Sequence, residues 1–191
     1  MRVIGGTARG RRLLAPRGLD TRPTSDKVKE ALFSILVGML GPLDGCSVLD
    51  IFAGAGSLGI EAMSRGADSA VFIDAGREAA AAIAKNLETT GFADRSRVFA
   101  QDFHAALARL EREGRTFRLV FLDPPYRKGL LEKCLTRLGA STLLEEDSVV
   151  VAELSSRDEL EPAFGALLQC DRRVYGDTAL TFFTMTRKGS P

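Results

Sequence analysis

Asp50-Ile51-Phe52-Ala53-Gly54-Ala55-Gly56-Ser57-Leu58-Gly59 closes a short apolar run and opens a segment with helical spacing. A buried strand that turns through closely spaced glycines into a helix is the passage at which an open α/β sheet holds its ligand. Gly54, Gly56 and Gly59 satisfy the G-x-G-x-x-G spacing, so a dinucleotide-dependent dehydrogenase is one class to weigh. Asp50 separates the alternatives. A carboxylate at the strand tip repels a pyrophosphate resting on the glycine turn, whereas it attracts a cationic sulfonium that carries an amino-acid ammonium. S-adenosylmethionine is a ligand of that kind.

Outward from this loop the chain alternates. Apolar runs predict strands near 47–51, 69–73, 96–101, 117–122 and 148–154, and helical spacing falls near 57–65, 76–90, 103–113, 129–138 and 156–168. Continuous apolar strands separated by helices imply an α/β fold whose mostly parallel sheet is covered on both faces. The end of the chain differs. Arg172 to Tyr175, the turn signal Gly176-Asp177 and the Thr/Phe-rich stretch 179–186 predict an antiparallel hairpin. At the beginning, Met1 to Ile4, Gly5-Gly6 and an arginine-rich segment predict a hairpin or extended arm. Thr24 or Ser25 can then cap a helix with apolar positions Val28, Leu32, Ile35, Leu36 and Met39, stopped by Gly41-Pro42.

At 191 residues one domain is expected, with residues 1–40 as basic arm and helix and 41–191 as the core. Hydrophobic content of 45% and charged content of 27% are those of an ordinary globular protein, with no stretch long enough to span a membrane. No secretory leader follows Arg2, so a cytoplasmic location is expected. Cys46, Cys134 and Cys170 are too far apart for a disulfide framework or a metal site, and His104 stands alone on a predicted helix. The net charge of +1 hides an asymmetry: residues 1–30 carry eight basic and three acidic residues, a net of +5, which leaves −4 for the rest. A basic arm on a mildly acidic body suits phosphate contact, and a solvated surface is the plain alternative.

Acids recur where a parallel sheet binds ligands. Asp50, Asp74, Asp102 and Asp123 end the first four strands, and Asp74 can receive both hydroxyls of a ribose. Each acid alone would also serve as a helix cap. After the fourth strand comes Asp123-Pro124-Pro125-Tyr126. Two prolines fix the backbone and remove two donors, so Asp123 and the Pro124 carbonyl can accept hydrogen bonds from an exocyclic amine while Tyr126 stacks on the attached ring. That arrangement suits methyl transfer to a nucleobase nitrogen; a strand-ending turn is the structural alternative.

With these residues in hand, the chain resembles the bacterial 16S ribosomal RNA guanine-N2 methyltransferases of the RsmD type, within the class I adenosylmethionine-dependent (Rossmann-like) fold. The likeness rests on Arg2-Val3-Ile4-Gly5-Gly6 with Arg9-Gly10-Arg11-Arg12, on Arg22-Pro23-Thr24 and Glu30-Ala31-Leu32-Phe33, and on the loop from Asp50 to Gly56. It continues through Glu61-Ala62-Met63-Ser64-Arg65-Gly66-Ala67, Asp123-Pro124-Pro125-Tyr126 and Tyr175-Gly176-Asp177-Thr178. A departure is Ala75-Gly76-Arg77 after Asp74, where relatives often place another polar residue.

The resemblance implies that Asp50, Phe52, Ala53, Gly54 and Gly56 hold the methionine and ribose side of S-adenosylmethionine, Asp74 the ribose diol, and Asp102 with the Phe103 backbone the adenine edge. Asp123, Pro124, Pro125 and Tyr126 would form the catalytic loop around the target guanine. Arg9, Arg11, Arg12 and Arg22 would contact 16S ribosomal RNA, free or in an assembling small subunit, with the protein acting as a monomer without metal or membrane. A DNA or RNA adenine-N6 methyltransferase shares this chemistry and stays open as an alternative. A dehydrogenase is opposed by Asp50 and by the Asp-Pro-Pro-Tyr loop, and a noncatalytic RNA-binding protein would use the arm alone.

Overall fold

The computed structural model describes residues 1–16, 25–125 and 129–186. Five strands, Ser47–Ile51 (β1), Ser69–Asp74 (β2), Ser96–Ala100 (β3), Phe117–Leu122 (β4) and Leu144–Ser155 (β5), pair in parallel in the order β3-β2-β1-β4-β5. Ala163–Phe164 (β6), Leu167–Tyr175 (β7) and Thr178–Met185 (β8) extend that sheet antiparallel, in the order β5-β8-β7-β6. The expected parallel sheet and terminal hairpin are both present.

The strands are apolar on both faces because helices cover both. Val48, Ala70, Phe72, Leu119, Phe121, Val149 and Val151 point to one layer, filled by helices Asp26–Leu40 (α1), Ser57–Ser64 (α2) and Arg77–Thr90 (α3) and by Val3, Ala8 and Leu13 of the arm. Leu49, Ile51, Val71, Ile73, Val120, Leu122, Val150 and Ala152 point to the other, filled by Phe103–Arg112 (α4) and Leu130–Gly139 (α5). The period-2 alternation along each strand therefore sorts its residues cleanly between two cores.

Two expectations need correction. The helix expected near 156–168 does not form: β6 and the start of β7 occupy its second half. Pro162 lacks the N–H a helix interior requires, and its carbonyl accepts from Gln169 N–H at 2.8 Å instead. Gly165 turns the chain with φ 61°, and Ala166 N–H then reaches the Gly139 carbonyl at the end of α5. In α1 the Ser25 hydroxyl accepts from Val28 N–H as a cap, but the buried stripe is Lys29, Leu32, Phe33, Leu36 and Leu40, whereas Met39 is exposed and Val28 and Ile35 are half-buried. The stripe rotates toward Lys29 because a carboxylate in the core receives that ammonium.

That carboxylate is Glu61. It is fully buried in α2, accepts the N–H groups of Ile4 and Gly5 at 2.8 Å each, and pairs with Lys29 at 3.2 Å and Arg65 at 2.8 Å. Lys29 also donates to the Arg2 carbonyl at 2.6 Å. The arm is the expected hairpin, closed by an antiparallel bridge between Arg2 and Arg12, and it is pinned along α2 by this buried cluster and by Ser64.

Candidate active site

The glycine turn is held from below. Asp50 is 2% exposed and its Oδ2 accepts from Gly59 N–H at 2.9 Å, in the first turn of α2. Gly59 has no room for a side chain: an added Cβ would lie 2.4 Å from the Phe72 ring and 3.1 Å from Asp50 Oδ2. The third glycine of the motif thus serves close packing of helix on strand. Burial pushes the Asp50 carboxyl up to about 7; the Gly59 N–H opposes this and the negative charge of Asp74 adds to it. The strand-tip carboxylate read from the sequence thus sits buried beneath the loop, held by the Gly59 N–H.

Asp74 stands across the loop. Its two oxygens accept from Gly54 N–H at 2.9 Å and Gly76 N–H at 2.8 Å, which ties the glycine turn to the tip of β2. Ala53 N–H donates to the Ile73 carbonyl at 3.1 Å and fixes the same junction. Each carboxylate oxygen keeps a second acceptor position, so a ribose diol can still be received. Phe52 is the non-glycine residue with left-handed backbone among those described, at φ 64°, and its ring meets Phe103 edge-on at 5.5 Å between centroids. Strained backbone of this kind persists where surrounding structure over-determines it, commonly at a ligand site. Asp102 caps α4 by accepting from His104 N–H at 2.8 Å, which leaves its other oxygen for a ligand, and exposed His104 packs its ring 4.0 Å from that of Phe103.

Asp123 follows β4 directly. Leu122 is in register with Ile51 on one side and Ala152 on the other, so the next residues, Phe52, Asp123 and Glu153, lie side by side at the carboxyl edge of three adjacent strands. Pleat alternation puts Asp50, Asp74, Asp123 and Glu153 on the face that carries the arm and α1. The Asp123 carboxyl lies well above the ordinary carboxylate range, first from loss of hydration and then from the negative charges of Glu153 and Asp50. As a residue Asp123 is exposed, so this is the loss of hydration of a crevice at the sheet edge rather than of the interior, and the charges of Glu153 and Asp50 add to it in the same direction.

Pro124 is buried and Pro125 exposed; Tyr126 lies outside the described residues, as does Arg22. Both prolines line a cleft of about 470 Å³ whose far wall is formed by Glu153, Leu154 and residues 157–160. Arg172 of β7 holds that wall by donating to the carbonyls of Ser156 and Asp158 at 3.1 Å each. Glu153 and this wall were missed in the sequence, although an acid closing the fifth apolar run repeats the pattern of the first four strand ends. Arg9, Arg11 and Arg12 are exposed on the arm. Among the described residues no group of three or more His, Cys, Asp or Glu could hold a metal ion, and no helix is long and apolar enough to cross a membrane.

A parallel β3-β2-β1-β4-β5 sheet with an antiparallel extension, a glycine turn after β1, and acids at successive carboxyl edges define a class I S-adenosylmethionine-dependent methyltransferase. The family described as "Conserved hypothetical protein 95" matches residues 1–184, and the chain belongs to it. YlbH of Bacillus subtilis, provisionally named an rRNA methyltransferase, is 40% identical over 184 residues, 96% of this chain and 98% of that protein. Ribosomal RNA small subunit methyltransferase D of Escherichia coli K12 is 38% identical over 153 residues, 80% of this chain and 74% of that protein. The solved structure of Escherichia coli YhhF, provisionally titled a methyltransferase, superposes with a TM-score of 0.82 at 31% identity over 97% of each chain.

Proposed function

We propose that this protein transfers the methyl group of S-adenosylmethionine to the exocyclic N2 amine of a guanine in 16S ribosomal RNA, acting in the cytoplasm as a monomer. The observation that carries this reading is the placement of Asp123 and Pro124 at the edge of β4, one strand from the glycine turn after β1 and beside the cleft. The names of the relatives, rRNA methyltransferases at 38–40% identity, support the substrate class.

The bound cofactor supplies an electrophilic methyl on a sulfonium. The protein's own groups do the rest. The loop between Phe52 and Gly56, with Asp50 beneath and Asp74 beside it, receives the methionine and ribose portions, while Asp102 and the Phe103 backbone receive the adenine edge. Asp123 and the Pro124 carbonyl accept from the two amine protons of the guanine, which favours a pyramidal nitrogen with its lone pair aimed at the methyl; Tyr126 stacks on the ring. The transfer would make an N–C bond as the sulfonium's C–S bond is broken, with the thioether as leaving group, and the cationic amine would pass its extra proton to water at the open edge of the cleft. Such positioning is worth up to roughly 7 to 11 kcal/mol. The base must be unpaired or flipped to enter the cleft. Arg9, Arg11, Arg12 and Arg22 contact phosphates near the target.

Transfer of labelled methyl to naked 16S RNA, partly assembled small subunits and DNA in parallel, with the modified nucleoside identified, tests the reading. N2-methylguanosine from an RNA substrate is expected. N6-methyladenosine from an RNA, or N6-methyldeoxyadenosine from DNA, would replace it with the adenine alternative.

A further inference from the structure

We propose that Glu153 selects guanine, its carboxylate accepting the N1–H of the target base while Asp123 holds the 2-amine; this rests on the guanine-N2 reading above. The neighbouring donors N1–H and N2–H of guanine call for two acceptors side by side. The edge of β4 and β5 provides them, since Leu122 and Ala152 are the last paired residues of the two strands and Asp123 and Glu153 are the residues that follow them. Adenine presents an N1 lone pair at the same place, which a carboxylate repels, so the same pair rejects it.

Glu153 is better placed for this than the other acids of the cleft. Glu132 belongs to α5, and Asp158 and Glu159 to the segment after β5. Glu153 lies within β5, which is paired with β4 on one side and, through Leu180, with β8 on the other. Its backbone is therefore fixed from both sides, and a site on such an element is held more closely than one on a loop. It is only 7% exposed yet lines the cleft with Pro124 and Pro125. A carboxylate has about four acceptor positions, so Glu153 can serve a base alongside the contact it makes within the protein. The negative charge of Glu153 acting on Asp123 shows that the two carboxyls share one electrostatic environment. The cleft, about 470 Å³, falls in the range of small-ligand pockets.

The test compares two target bases in one enzyme preparation. The methylated guanine is located by labelled transfer, then replaced by 2-aminopurine in a ligated 16S RNA; this base keeps the 2-amine but has a lone pair at N1. Wild-type enzyme should strongly prefer guanine. Glu153→Gln offers N1 an amide donor, so kcat/KM for guanine should fall roughly 10- to 100-fold, the range of a good base-reading contact, while that for 2-aminopurine holds or rises. Because the readout is a ratio within one sample, a reduced folded fraction cancels. Glu153→Asp, which keeps the acceptor, should regain part of the guanine preference. An equal fall on both bases, or an unchanged ratio, overturns the role of Glu153 and leaves the guanine reading intact. Wild-type enzyme that methylates no guanine amine overturns both.

Discussion

Glu61 of α2, with no exposed surface, faces the ammonium of Lys29 in α1 at 3.2 Å, and both are closed off by the amino-terminal arm that Glu61 binds through Ile4 and Gly5 N–H. A carboxylate with two backbone donors and two cations is fully satisfied, which is the condition for a buried charge to be tolerated. The arm is thereby part of the folded core at its root while Arg9, Arg11 and Arg12 remain exposed farther along it. Lys29, counted among the basic residues of the first thirty, is buried and pairs with Glu61.

Removing that carboxylate charge should cost stability. Glu61→Gln leaves Lys29 buried without its counter-ion, a kind of change worth about 3 to 5 kcal/mol. Thermal and denaturant unfolding should both register it, and the arm's amide protons should exchange faster. An unchanged melting temperature would show that the cluster does not hold the arm.

Asp50 should make stability depend on pH. Its carboxyl titrates at about 7 when folded against 3.8 ordinarily, so the unfolded chain gives up the proton first. The stability linked to the neutral carboxyl is present below pH 4 and is lost as pH rises to about 7, by up to about 4 kcal/mol at 1.36 kcal/mol per unit. Asp50→Asn keeps an acceptor for Gly59 N–H and cannot ionise. Its melting temperature should therefore gain on the wild type between pH 5 and pH 8; parallel curves would assign the pH dependence to other groups.

The cofactor class is open to a binding measurement. S-adenosylmethionine or S-adenosylhomocysteine at one hundred times its dissociation constant should stabilise the protein by about 2.7 kcal/mol. NAD and NADP should give no shift, and a shift with NAD alone would reverse the assignment.

Asp123→Ala should abolish most methyl transfer while S-adenosylhomocysteine binds normally. A hydrogen bond to a charged group is worth about 1.5 to 3 kcal/mol, so a loss of roughly 10- to 150-fold in kcat/KM is the least expected. Normal turnover in this variant would remove Asp123 from the catalytic loop's task.

Replacing Arg9, Arg11 and Arg12 together with Gln should weaken RNA binding and flatten its logarithmic salt dependence by roughly 0.7 to 0.9 for each phosphate that is no longer neutralised. The three side chains are exposed, so the melting temperature should move little. RNA affinity measured across several salt concentrations decides it, and an unaltered slope argues that the arm meets no phosphate.

Most of the order of strands and helices is legible in the sequence, because continuous apolar runs such as Phe117 to Leu122 and the glycine turn after Asp50 are local signals that few other folds satisfy. Asp74, Asp102 and Asp123 are legible as strand-end acids for a related reason, since a strand's carboxyl end is where its apolar run stops. The partners those acids meet depend on the packed fold. Asp50 is buried beneath Gly59 because α2 packs back across β1, and no periodicity carries that information. Glu153 joins Asp123 because β4 and β5, separated by a whole helix, pair in register. Residues 156–168 carry helical spacing yet yield β6 and the start of β7, since Pro162 and Gly165 break the helix and the edge of β8 offers a ladder to pair with. Lys29 turns inward to Glu61, thirty-two positions along the chain, because pairing a charge across that distance is a property of packed surfaces and not of any one element.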